Sequence, residues 1–336
     1  MNLRRATCRA GFIVLSIGIL IIGAWSAAAI WYCCGYGEPV RSLLAAISAV
    51  ISLGAIGGLM TRRRWALLGV YTLALMLLLV WWGSISPSAA RHWAPDVARS
   101  VTASFDGDHV SVTNVRNFSW RSESEFDPVW EQRTYDLSHV TDVDLIMSYW
   151  MGEAIAHTIV SFGFDNAERL AFSIEIRKEA TEIFSPLAGF FKQYELAIIA
   201  ADERDIVRLR SNVRDEDVRL YRLKMTPENA RLLLRSYLEA ANGLAKMPRF
   251  YNTLTSNCTT LVFDMARVIH PGLSPDIRII LSGYLPDYAY EFGATNTRMP
   301  FAELRNLSKI NHKALQADAE PNFSMKIREG VPPALQ

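Results

Sequence analysis

The stretch Ala156-His157-Thr158-Ile159-Val160-Ser161-Phe162-Gly163-Phe164, followed closely by Leu170 to Arg177, decides the fold of the polar part of this chain. Both segments are short, rich in β-branched and aromatic residues, and separated by Asp165-Asn166-Ala167, so they read as two strands of a hairpin. Side chains alternate between the faces of a strand. Thr158, Val160, Phe162 and Phe164 form the core-like set, which turns His157, Ile159, Ser161 and Gly163 to the other face. In the second strand Phe172, Ile174 and Ile176 are the apolar set, and Ser173, Glu175 and Arg177 the polar one. Pairing apolar with apolar requires residue numbers of equal parity, and a tight loop then sets His157 opposite Glu175.

Other strand-like runs surround this pair. Residues 103–105 and 110–115 flank Asp106-Gly107-Asp108 and read as a hairpin. Further strands are expected at 133–137, 143–149, 194–200 and 218–223. Helices follow. Thr226-Pro227-Glu228 supplies a cap, a first-turn proline and a first-turn acid, opening a helix to about Ala245. Others are expected over 258–269, 277–292 and 300–315. Strands followed by helices give an α+β domain spanning 101–336.

Cys258 is the only cysteine of that domain. The polar run Tyr251 to Asn257 leads into it, so it starts a helix with Ser256 or Asn257 as cap. There the helix dipole and free N–H groups stabilise a thiolate and bind an oxyanion. A small buried hydrophobe is the competing reading of a free cysteine. A thiolate nucleophile needs a base. Of six histidines, His157 alone sits on a strand with a carboxylate, Glu175, placed to orient it. A salt bridge of Glu175 with Arg177 or Lys178 is the equally weighted alternative. Asn257, Ser161 and Asn252 are candidate substrate-binding or oxyanion contacts. The run Asp202-Glu203-Arg204-Asp205 and Arg208, Arg210 and Arg214 alternate in sign and are expected to pair with one another on a surface. Trp120, Trp130 and Trp150 are expected in the core rather than in a groove.

The amino-terminal quarter is different. Residues 11–33 and 65–82 carry no charge, and 40–60 carries only Arg41. About 20 helical residues cross a hydrocarbon core of roughly 30 Å, so each run is long enough to span. Gly54, Gly57 and Gly58 would let helices approach closely, or lie idle in lipid. The first run is longer than a signal peptide's apolar region and is expected to remain as an anchor. Arg4, Arg5 and Arg9 precede the first span, and Arg62, Arg63 and Arg64 lie between the second and third. The positive-inside rule puts both groups in the cytoplasm, and everything after Trp82 on the far side. The chain thus divides into an anchor (1–83), a linker (84–100) and a domain (101–336).

Composition narrows the function. Among 336 residues, 50% are hydrophobic and 21% charged, and the net charge is +1. That excludes a disordered chain and gives no general pull toward nucleic acid. Four cysteines without a C-x-x-C pair leave no disulfide framework and no expected metal site.

The segments Ala156 to Phe164, Ser173 to Glu179, Tyr194-Glu195-Leu196, Asp202 to Asp205, and Tyr251-Asn252-Thr253 with Asn257-Cys258-Thr259-Thr260 resemble the Lnb amino-terminal periplasmic domain family. The resemblance covers about Val129 to Ala266. Histidine on a strand ahead of cysteine at a helix start also resembles circularly permuted, NlpC-type papain-like hydrolases. What this implies is a periplasmic thiol hydrolase or acyltransferase acting on an amide or ester bond, with Cys258 as nucleophile, His157 as base and Glu175 as third residue. It implies an inner-membrane location, no cofactor, and as partners membrane lipid and a cell-envelope substrate, either peptidoglycan peptide or acyl lipid. The rival expectation is a non-catalytic envelope binding module with a papain-like cleft.

Overall fold

The computed structural model describes residues 2–88, 90–318 and 320–334, with residues 2–9 described by backbone alone; the side chains of Arg4, Arg5, Cys8 and Arg9 fall outside the described residues. The chain divides into two compact units. One comprises residues 1–88 and 184–194, and the other residues 89–183 and 195–336.

The first unit contains helices α1 (Asn2–Cys33), α2 (Glu38–Gly58) and α3 (Arg64–Ser84). The stretches Ala10–Cys33, Glu38–Gly58 and Arg64–Ser84 are each long and apolar enough to cross a membrane. Close approach falls partly where expected. A Cβ on Gly58 would collide with the Leu67 side chain and one on Gly23 with Ser52, whereas Gly54 and Gly57 face open space. The segment between 184 and 194 was not assigned to this unit by the sequence. It contributes a 3-10 turn at Ala188–Phe190.

The second unit is built on one sheet. Its strands are β1 (Thr102–Asp106), β2 (His109–Arg116), the short pair β3 (Ser119–Trp120) and β4 (Phe126–Asp127), β5 (Trp130–Asp136), β6 (Val140–Tyr149), β7 (Ala156–Phe164), β8 (Arg169–Arg177) and β9 (Glu195–Ala201). Helix α4 (Glu203–Arg208) and a π-helical turn, Leu209–Val213, precede β10 (Asp217–Leu223). Then come α5 (Pro227–Lys246), α6 (Cys258–Ile269), α7 (Leu285–Glu291), α8 (Phe301–Leu307), α9 (Asn311–Gln316) and α10 (Phe323–Lys326). The sheet order is β1-β2-β9-β8-β7-β6-β10, with β5 also on β2 and β3-β4 apart. Pairing is antiparallel except where β2 meets β9. The architecture is α+β.

The expected register holds. Phe162 pairs with Leu170, Val160 with Phe172 and Ile159 with Ser173; beyond the last pair His157 and Glu175 meet through their side chains. Gly107, at φ 62°, makes the β1–β2 turn that a side chain would strain. Thr226 caps α5, its hydroxyl accepting from the Asn229 N–H.

Both faces of the sheet are covered, and two expected helices are corrected. Val160, Phe162, Phe172 and Ile174 pack under α5 and α6, while Ile159, Ala171 and Ile199 pack under α4, α9 and α10. The expected helix at 277–292 is two 3-10 turns and α7. Its backbone is drawn onto the sheet instead: Ser282 Oγ accepts from Ala156 N–H at 3.0 Å and donates to Ala156 O at 2.7 Å, and Gly283 N–H donates to Ala154 O at 3.0 Å. The expected helix at 300–315 breaks between α8 and α9. There Ser308 O accepts from Leu220 N–H and Ile310 N–H donates to Val218 O, so the break covers the open edge of β10.

Candidate active site

Cys258 is the first residue of α6, and its cap is Asn257. The Asn257 side-chain oxygen accepts from the Thr259 and Thr260 N–H groups, both at 2.9 Å, while Thr260 Oγ1 accepts from the Asn257 N–H at 2.8 Å. This reciprocal box satisfies the second and third N–H groups of the helix. The Cys258 N–H, one turn short of any intrahelical acceptor, stays available at the sulfur's side. Asn252 shapes the approach: its side-chain oxygen accepts from the Leu254 N–H at 3.0 Å and the Thr255 N–H at 3.1 Å.

His157 opens β7. Its Nε2 lies 2.6 Å from Ser173 Oγ and 3.2 Å from Glu175 Oε1. Ser173 Oγ also donates to Glu175 Oε1 at 2.6 Å. Ser173 and Glu175 engage Nε2, which leaves Nδ1 for Cys258, and the two titrating groups, His157 and Cys258, act on each other directly. The imidazole is only 12% exposed. Burial and the Arg210 charge push its pKa down, but the Glu175 carboxylate and the bonds to Cys258 and Glu175 outweigh them, raising it to about 9. Burial pushes the Cys258 thiol up. Its bond to His157, the imidazole's charge and contacts to Thr158 and Thr259 outweigh that and bring it below its ordinary 9.0. Both shifts favour the same ion pair, imidazolium beside thiolate.

Glu175 is itself held ionised. Burial disfavours its charge, yet His157 and Arg210 keep it well below the ordinary carboxylate range. Arg210 Nη2 donates to Glu175 Oε1 at 2.8 Å, and Nη1 lies 3.4 Å from Glu216 Oε2, which accepts from Ser148 Oγ. The chain of alternating charge thus runs Cys258, His157, Glu175, Arg210, Glu216.

Of the expected site residues, Cys258, His157 and Glu175 come together, with Asn257 and Asn252 in the adjoining loop. Ser161 does not join them. It is fully buried, and its hydroxyl donates to Glu203 Oε1 at 2.5 Å. The expectation of a surface cluster at 202–214 is also corrected. Glu203, Asp205 and Arg210 are buried, and their partners are distant in sequence: Arg328 for Glu203, Arg116 for Asp205, Glu175 for Arg210. Trp120 is core, its Nε1 donating to Asp205 Oδ1 at 2.7 Å, and Trp130 packs on Phe118; Trp150 is 43% exposed. Sequence reasoning missed Tyr237 of α5. Its buried hydroxyl lacks a hydrogen-bond partner among the described residues, and the Cys258 charge reinforces burial in raising its pKa. Only its place on the apolar stripe of α5 was visible in the sequence, and that marks core rather than site.

Three membrane-length helices and an α+β domain carrying a cysteine–histidine–glutamate cluster define the class: a membrane-associated protein with one globular domain. Residues 126–283 match the Lnb N-terminal periplasmic domain family. Cys258, His157 and Glu175 all lie within the match. No curated protein and no solved structure matches the chain.

Proposed function

We propose that this protein is a multi-pass inner-membrane enzyme, amino terminus in the cytoplasm, whose periplasmic domain hydrolyses or transfers an acyl group through Cys258. The observation that carries the reading is the imidazole of His157, tied through Nε2 to Ser173 and Glu175 and coupled electrostatically to the Cys258 thiol at a helix start. The Cys258 thiolate attacks the carbonyl carbon of an amide or ester. The oxyanion that forms takes a hydrogen bond from the Cys258 N–H. The His157 imidazolium then gives its proton to the departing amine or alcohol, leaving a thioester on Cys258. Water or an acceptor amine or hydroxyl, losing a proton to His157, attacks that thioester and frees the sulfur.

Histidine ahead of cysteine, on a strand and a helix start, is the arrangement of circularly permuted papain-like enzymes and supports this mechanism by analogy. Arginines before the first span and at 62–64 support the orientation. The substrate is a cell-envelope molecule, either a peptidoglycan peptide or an acyl lipid, reached at the membrane surface. Envelope fractions from cells carrying the wild-type protein or Cys258→Ala test the reading. A released peptide or acyl product present only with the wild type is expected. Identical product profiles would overturn catalysis and leave a binding module.

A further inference from the structure

The segment Phe184–Tyr194 departs from the sheet between β8 and β9 and folds with the three apolar helices. Its exposed side chains are apolar: Leu187 is 61% exposed and Phe190 41%. Its inner side is aromatic. Phe191 stacks on Tyr32 with centroids 5.3 Å apart and meets Trp82 edge-on at 6.3 Å, while Trp82 meets Trp25 at 5.2 Å. Tyr32 belongs to the last turn of α1 and Trp82 to the last turn of α3. With α2 returning between them, these two turns reach the same membrane face, where Trp and Tyr rings concentrate. Lys192 Nζ donates to Trp82 O at 2.8 Å and Ile85 O at 3.1 Å. Its charge thus rests on the carbonyl end of α3, 5.3 Å from the centre of the Trp82 ring, as suits a lysine at the edge of a hydrocarbon layer. Beside Leu187 and Phe191 a groove of about 510 Å³ opens against Ala24, Ala28, Trp31 and Ala45.

We propose that residues 184–191 form an interfacial insertion lying in the lipid at the boundary between headgroups and acyl chains, with Leu187 and Phe190 turned into the bilayer. The occupant of this surface is lipid rather than another protein. The apolar side is continuous with helices of membrane length, and the aromatic ring cluster and Lys192 mark the depth at which polar headgroups begin. The groove is lined by alanine and aromatic side chains and Leu187, the character an acyl tail requires. None of this depends on catalysis at Cys258.

The test uses the full chain in vesicles of phosphatidylethanolamine and phosphatidylglycerol. Cys8, Cys33, Cys34 and Cys258 are replaced by serine, and nitroxides are attached at Leu187→Cys or Phe190→Cys. Val14→Cys, on the exposed side of α1, is the lipid reference, and Glu123→Cys the aqueous one. Collisions with dissolved oxygen are expected to exceed those with a water-soluble nickel chelate at 187 and 190, as at 14, and to fall below them at 123. Nickel access at 187 and 190 matching that at 123 would overturn the proposal. So would exclusion of both reagents, which would mean a protein partner. A photoreactive amino acid at 187 in the otherwise native chain gives an independent reading, with adducts to phospholipid expected and adducts to protein contradicting it.

Discussion

Replacing Glu175 by glutamine removes a charge while preserving shape. At 3.2 Å from His157 Nε2, two unit charges at an effective dielectric of about 20 attract by about 5 kcal/mol. The net effect is smaller, because burial and Arg210 act against the imidazolium. The rise of His157 from 6.5 to about 9 corresponds to about 3 kcal/mol favouring the protonated ring. Without the carboxylate only the lowering influences remain, apart from the bond to Cys258, so the proton returns to sulfur. The thiolate fraction at pH 7 then falls, because the imidazolium that holds the thiol below its ordinary range is lost. Pulse alkylation with iodoacetamide across pH, read at the Cys258 peptide by mass spectrometry, measures this. For the wild type the rate climbs at a pH below the ordinary thiol value and then plateaus. Turnover, which needs the ring's proton for the leaving group, declines as pH passes about 9. In Glu175→Gln the alkylation midpoint moves up and the neutral rate drops. An unchanged midpoint and rate would refute the electrostatic reasoning.

Asn257→Ala removes the oxygen that satisfies two N–H groups ahead of Cys258, and should cost about 1 kcal/mol in urea unfolding of the domain. Gly283→Ala places a Cβ against the Glu153 carbonyl, where backbone must move, so a loss of about 1–3 kcal/mol and a disturbed start to β7 are expected. Arg328→Met removes the ion-pair partner of buried Glu203 and leaves it the Ser161 hydroxyl and the more distant Arg169 charge, so a loss of about 3 kcal/mol should appear in the same unfolding measurement. Because its carboxylate is held at about 2 against an ordinary 4.5, the pairing of Glu203 contributes stability above pH 4.5 that disappears as pH falls toward 2; Arg328→Met should flatten that acid limb.

Local chemistry was legible in the sequence wherever one segment decided the outcome. The parity of the apolar positions around Asp165-Asn166-Ala167 set the β7–β8 register, and the polar run ending at Ser256-Asn257 marked the start of α6. What escaped was decided by distant partners. Glu203 and Asp205 look solvated beside Arg204, yet Arg328 and Arg116 draw them inside. Arg210 reads as one of a run of arginines until the fold sets it under Glu175. The helical pattern at 277–292 gave no sign that Ser282 and Gly283 would bond to the start of β7 instead. Residues 184–194 sit among strands in the sequence, and only the contacts of Phe191 and Lys192 reveal their place with the apolar helices.

The most direct measurement is the alkylation rate of Cys258 at pH 7 in the wild-type protein and in His157→Ala. Fast labelling that slows sharply when the imidazole is removed is the result this account requires. Slow and equal labelling of the two proteins would contradict it.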